Sequence, residues 1–165
     1  MAGHPLLQSD DIQLLGFRGA TTRTLLLSKK IRDLDVDRVF LQIGGNDIGP
    51  TSDPDDIVED ICDVVTMFEE KGCQVVVGSL FQRYRPRHMS PEKYEIQRTR
   101  INKRLCQLFQ TESNVTFWKL RGFQQLTATA FKNGVHITQT LETRYARQLK
   151  ASPVLQPDEL GIFSD

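Results

Sequence analysis

Asn46 and Asp47 stand immediately beyond an apolar run and two glycines, in the stretch VFLQIGGNDIG that covers residues 39 to 49. Polar side chains just past the carboxyl end of a buried strand are aimed at the crevice where open α/β sheets bind ligands. Two more segments bring chemistry to the same edge. The run IQLLGF (12 to 17) is followed by Arg18, Gly19, Ala20 and Thr21, and NGVHIT, which contains His136, precedes the last helical stretch. A backbone N–H unobstructed by a side chain, an Asn amide and an imidazole are the parts acyl transfer needs: donors that hold an oxyanion and a base that moves protons. Gly19, Asn46 and His136 are therefore the candidate site. A plainer reading stands beside it, in which Asn46 and Asp47 close a turn as Asx residues do and His136 is held by a neighbouring carbonyl.

These residues need strands and helices to position them, and two periods alternate along the chain. Short β-rich runs occur at 12 to 17, 38 to 44, 74 to 80 and 115 to 120. Between them lie stretches with helical spacing. TTRTLLLSKKIRDL starts at a Thr N-cap, and DPDDIVEDICDVVTMFEEKG starts at Asp53-Pro54 and stops at Gly72. SPEKYEIQRTRINKRLCQLFQ starts at Ser90-Pro91 and places Tyr94, Ile101, Leu105 and Leu108 on one side, and TQTLETRYARQLK is the last. Alternating β and α with near-continuous apolar strands implies a parallel sheet covered on both faces, a three-layer α/β/α sandwich. Residues 1–150 read as one domain. The segment 151–165, with two prolines and no clear period, reads as a loose tail.

Bulk composition excludes more than it selects. The 165 residues carry 21 basic and 21 acidic side chains, so no global field marks a nucleic-acid or membrane binder. The local balance is uneven: residues 33 to 72 hold twelve Asp/Glu, and 81 to 110 hold eight Lys/Arg. The basic group Arg83, Arg85, Arg87, Arg98, Arg100, Lys103 and Arg104 reads as a solvated face, with a nucleic-acid patch as the alternative. Cys62, Cys73 and Cys106 lack zinc or disulfide spacing, and no metal site is expected. GFRG lacks the three-glycine dinucleotide spacing and there is no Walker lysine, so no cofactor is expected. No run is long enough to span a bilayer and no secretory signal is present, which makes the cytoplasm the expected location.

GGND, GFRGATT and NGVHIT together resemble the blocks of the SGNH or GDSL-like hydrolases, flavodoxin-like α/β enzymes that mostly cleave carboxylic esters, and the match runs from residue 12 to about 150. The resemblance implies Asn46 as side-chain oxyanion donor, Gly44 as the glycine that opens its turn with Asp47 in support, Gly19 as the backbone donor and His136 as the base. Two departures follow. The family's serine-bearing first strand should precede IQLLGF, and only eleven residues do, with Pro5 where the Ser would stand in GHP. Asn133 occupies the position of the Asp that orients the imidazole, an exchange that favours the wrong tautomer. Ser79 lies on the correct edge but about 10 Å from the nucleophile's place at the usual strand spacing, and Ser9 lies at the opposite edge. The expectation is a catalytically impaired hydrolase with a small ester as substrate if it is active. The alternatives are an active serine-dependent carboxylester hydrolase with an upstream start, or a non-catalytic ligand- or nucleic-acid-binding module. In the family's sheet order the missing strand is internal. Its absence predicts two unpaired edges facing one another across about 10 Å, with residues 5 to 9 unable to fill the gap.

Overall fold

A computed structural model describes residues 13–112, 114–123, 126–134 and 136–152, and the backbone of 160–164. The elements run β1 (Leu14–Phe17), α1 (Thr22–Leu27), α2 (Lys29–Arg32), β2 (Arg38–Gln42), α3 (Pro54–Glu69), β3 (Gln74–Gly78), α4 (Pro91–Leu108), β4 (Val115–Trp118), a 3-10 turn (Ala128–Ala130), α5 (Gln139–Lys150) and β5 (Leu160–Ser164). Successive strand residues point to opposite faces, so a strand buried on both sides must be apolar at every position. That is what β2 and β3 do. Val39, Leu41, Val75 and Val77 join the core beneath α1, α3 and α4, while Phe40 and Val76 join a second core with Leu141, Tyr145, Ala146 and Leu149 of α5.

The helices follow their caps. The Asp53 carboxylate accepts from the Asp55 N–H at 2.9 Å with Pro54 in the first turn, and Gly72, at φ +77°, closes the chain behind α3. Along α3, Ile57, Ile61, Val64, Val65 and Phe68 are buried at spacings of three and four, each contributing roughly 1.5 to 3 kcal/mol of gross apolar burial. The Ser90 hydroxyl caps α4 by accepting from the Lys93 N–H at 3.3 Å. The stretch TTRTLLLSKKIRDL is not one helix. Ser28 adopts an extended ψ of 118° and splits it into α1 and α2, which turns both Leu25 and Ile31, each 1% exposed, into the core.

The sheet corrects the expectation of an open gap and of a loose tail. Its order is β1-β5-β2-β3-β4, all parallel, with β5 hydrogen-bonded on both sides: Leu14 to Phe17 register with Gly161 to Ser164, and Val39 to Gln42 with Leu160 to Phe163. Two facing strands one strand-width apart offer unpaired N–H and C=O groups along both edges, and residues 160 to 164, free of proline and charge, satisfy both at once. α5 lies on the face opposite α3 and α4, on the return path from the β4 edge to the sheet centre. His4, Pro5, Ser9 and the PLLQS segment lie outside the described residues. Among the described residues no helix is long and apolar enough to cross a membrane, and no cluster of three metal-ligating side chains occurs.

Candidate active site

The turn after β2 is built by its glycines. Gly44 has φ +94°, a left-handed conformation that L side chains rarely adopt, and a Cβ there would also stand 2.8 Å from Ile61 Cδ1 of α3, so the turn favours glycine. The Asp47 N–H then donates to the Gly44 carbonyl at 3.2 Å and closes the turn. Asn46 projects from it, fixed at both ends of its amide: Nδ2 donates to the Ala20 carbonyl at 3.0 Å, and Oδ1 accepts from Arg83 Nη2 at 2.7 Å. Ala20 follows Gly19, which is exposed and left-handed at φ +68° in the turn beyond β1. The structure thus joins the Gly19 and Asn46 turns directly.

Asp47 does the joining from the other side. Its carboxylate accepts from the Thr22 N–H at 3.0 and 3.2 Å and from the Thr22 hydroxyl at 3.0 Å, tying the GGND turn to the first turn of α1. Burial pushes the Asp47 carboxyl above its ordinary range, and the two groups of Thr22 pull it part of the way back. Burial outweighing the hydrogen bonds sets the sign of a mutational test. Asp47→Ala removes the acceptor for the Thr22 N–H and is expected to destabilise by about 1 to 2 kcal/mol, whereas Asp47→Asn keeps one acceptor, sheds the half-buried charge and is expected to lie within roughly 0.5 kcal/mol of the parent in chemical denaturation.

His136 sits in a short loop pinned by an antiparallel bridge between Phe131 and Ile137. The Lys132 N–H donates to the His136 carbonyl at 2.8 Å, and the His136 N–H donates to Asn133 Oδ1 at 2.9 Å. Asn133 therefore braces the loop through the main chain of His136. The imidazole is exposed, and no described residue hydrogen-bonds to it.

The segment from 81 to 85 spans from the Asn46 turn to the His136 loop. Phe81 packs at 4.9 Å on Phe123 and at 5.1 Å edge-on to Tyr145, anchoring its start in the α5-side core. Arg83 then reaches Asn46, and two residues on the Arg85 N–H donates to the Gly134 carbonyl at 2.7 Å. A Cβ on Gly134, at φ +83°, would stand 2.5 Å from Arg85 Cβ, so glycine is what allows the two loops to touch. Tyr84 stacks on Phe131 at 6.5 Å. Sequence reading placed Arg83 in a basic cluster and missed this role. The usable signal was its position just beyond β3, at the same sheet edge as the other turns.

That cluster is not one face. Arg98 is 6% exposed and turned inward between Tyr94 and Ile101, donating to the Leu80 carbonyl at 2.8 Å and clasping Glu95, while Arg100 pairs with Asp55 of α3. Ser79 is 8% exposed, and its hydroxyl accepts from the Leu120 N–H at 3.1 Å, locking β3 to the segment after β4. It faces a separate cavity of about 440 Å³ beside α4, with Asn102, Cys106 and Phe117. The three cysteines are free, and burial pushes the Cys73 thiol up to about 11, which keeps it protonated and unreactive.

A parallel sheet with helices on both faces carries the Gly19 and Asn46 turns at the carboxyl ends of β1 and β2. The model of the GDSL-like Lipase/Acylhydrolase family matches residues 4–155, and the chain belongs to that family. Among solved structures it is similar to a protein of Streptococcus pneumonia provisionally assigned as a platelet activating factor, with 16% identity and TM-score 0.65 over 90% of this chain and 86% of that one. A protein of Bacteroides fragilis NCTC 9343 provisionally assigned as an acylhydrolase gives 13% identity and TM-score 0.67 over 88% and 89%. The salicylyl-acyltransferase SsfX3 of a tetracycline biosynthetic pathway gives 15% and 0.57 over 92% of this chain and 57% of its own. Comparison with the curated proteins finds no match.

Proposed function

We propose that the crevice formed by the Gly19 and Asn46 turns binds the carbonyl of a small ester, and that His136 does not act as a working base, so that hydrolysis is absent or severely impaired. The observation that carries the first half is the Asn46 amide, oriented from both ends at a strand terminus next to the Gly19 turn. An amide that cannot flip is a preorganised polar group of the kind that meets a carbonyl or oxyanion without reorganisation. The second half rests on the His136 loop, where Asn133 engages the main chain and the exposed ring has no hydrogen bond from a described residue to set its tautomer. Ser79 is not a substitute nucleophile in this reading, because it is 8% exposed and lines the separate cavity beside α4. The runner-up is an active serine-dependent ester hydrolase. A nucleic-acid-binding role is disfavoured by the inward turn of Arg98 and the pairing of Arg100.

Titrating the 15N-labelled protein with methyl butyrate tests the location. The Gly19, Ala20 and Asn46 amides are expected to shift, and Asn46→Ala is expected to weaken binding by about tenfold or more. Shifts confined to Ser79, Asn102 and Cys106 would mean that the ester prefers the cavity beside α4, and the crevice reading would fall.

A further inference from the structure

Arg83 carries five N–H donors on a planar, permanently charged guanidinium, and the structure spends only part of that capacity. One Nη2–H donates to Asn46 Oδ1 at 2.7 Å, and the guanidinium lies over the Tyr94 ring, 5.6 Å from its centroid. It passes close to Gly45, where a Cβ would stand 3.2 Å from Nη2. Arg83 is half-buried, and no described carboxylate pairs with it.

The described acids near Arg83 are engaged elsewhere. Residues 71 to 91 contain no Asp or Glu at all, while Lys71, Arg83, Arg85 and Arg87 lie among them. On α4, whose Tyr94 packs under Arg83, Glu95 gives both its oxygens to Arg98. Asp47, in the same turn as Asn46, gives both of its oxygens to Thr22. Arg85 adds a second cation two residues on, its aliphatic stem against Gly134 in the His136 loop. A fixed cation that no described carboxylate pairs with, partly withdrawn from water and bonded to the very amide proposed to meet the ester carbonyl, is a receptor for negative charge a short distance from that carbonyl.

We infer that the crevice selects esters that carry a carboxylate in addition to the ester group, with Arg83 as the residue that recognises it. The inference rests on the ester-binding reading of the Asn46 turn and adds the substrate class to it. A planar fork suits a carboxylate, because two parallel N–H donors meet its two oxygens. The same cation sharpens Asn46, since drawing electron density from Oδ1 makes the Nδ2 hydrogens better donors.

Two probes separate the claims: monomethyl glutarate, which has one ester and one carboxylate, and dimethyl glutarate, which has two esters and no charge. The readout is the ratio of their dissociation constants at low salt, followed at the Asn46 side-chain amide and the Gly19 backbone amide. The monoester is expected to bind about tenfold or more tightly. Arg83→Gln should bring the ratio to about one, and Arg83→Lys, which keeps the charge and loses the fork, should leave an intermediate ratio. Equal binding of both probes to the parent protein, or a ratio that survives Arg83→Gln, overturns the assignment of Arg83 and leaves the ester crevice standing. Acetate binding as tightly as the monoester would mark a site for bare anions and also overturns it. If neither probe shifts Asn46 or Gly19, the crevice reading fails and the inference fails with it.

Discussion

Removing residues 160 to 165 is expected to abolish cooperative unfolding. β5 is the strand that joins β1 to the rest of the sheet, registering four residues with β1 on one side and four with β2 on the other. At roughly 1 kcal/mol net per hydrogen bond, two short ladders together are comparable with the 5 to 15 kcal/mol that holds a whole domain. The loss reaches the site as well. β1 carries the Gly19 turn, and the Ala20 carbonyl that accepts from Asn46 is three residues beyond Phe17. The intact chain is expected to give a single sharp thermal transition by circular dichroism. The shortened chain is expected to melt broadly or aggregate, and a peptide of residues 158 to 165 added in trans should restore part of the transition. Identical melting of the two chains would show that β5 contributes nothing to the sheet.

Gly44→Ala is expected to destabilise by about 2 to 5 kcal/mol. The left-handed φ of +94° disfavours any L side chain by roughly 1 to 2 kcal/mol, and the new methyl would stand 2.8 Å from Ile61 Cδ1 in a fully buried stretch of α3, where overpacking adds about 1 to 3 kcal/mol. For a chain of this size that lowers Tm by roughly 5 to 20 °C. Gly49→Ala is the comparison. A Cβ there meets nothing within 4 Å, and the change is expected to stay within about 0.5 kcal/mol. If Gly44→Ala melts with Gly49→Ala, the turn that presents Asn46 is not held as described.

Much of the fold was legible because its signals are local. The unbroken apolar runs of β2 and β3 announce strands buried on both faces, and Asp53-Pro54 and Ser90-Pro91 announce the starts of α3 and α4. The GGND turn was legible for the same reason, since glycines and Asx residues at a strand end leave few conformations open. What escaped was decided at a distance. LGIFS carries no period of its own and becomes a strand only because β1 and β2 leave matching edges on either side. Arg98 reads as a surface charge until Glu95 and the Leu80 carbonyl are known to receive it. Arg83 sits in a run of basic residues, and only the bond to Asn46, more than thirty positions away, separates it from its neighbours. Asn133 was read as a replaced triad acid. Its carboxamide oxygen braces the main chain of His136, a local contact that residue identity alone does not reveal.

We propose an idle His136 together with a crevice that holds an ester, and the idleness of His136 can be tested directly. Hydrolysis of p-nitrophenyl acetate by the parent chain, set against His136→Ala and followed from the first turnover, measures it. The expected result is a parent rate equal to that of the variant, with no initial burst of p-nitrophenol, because oxyanion donors without an oriented base leave only a small residual acceleration. A burst that matches the enzyme concentration, followed by a steady rate that His136→Ala lowers tenfold or more, would contradict the account and establish a working serine-type hydrolase.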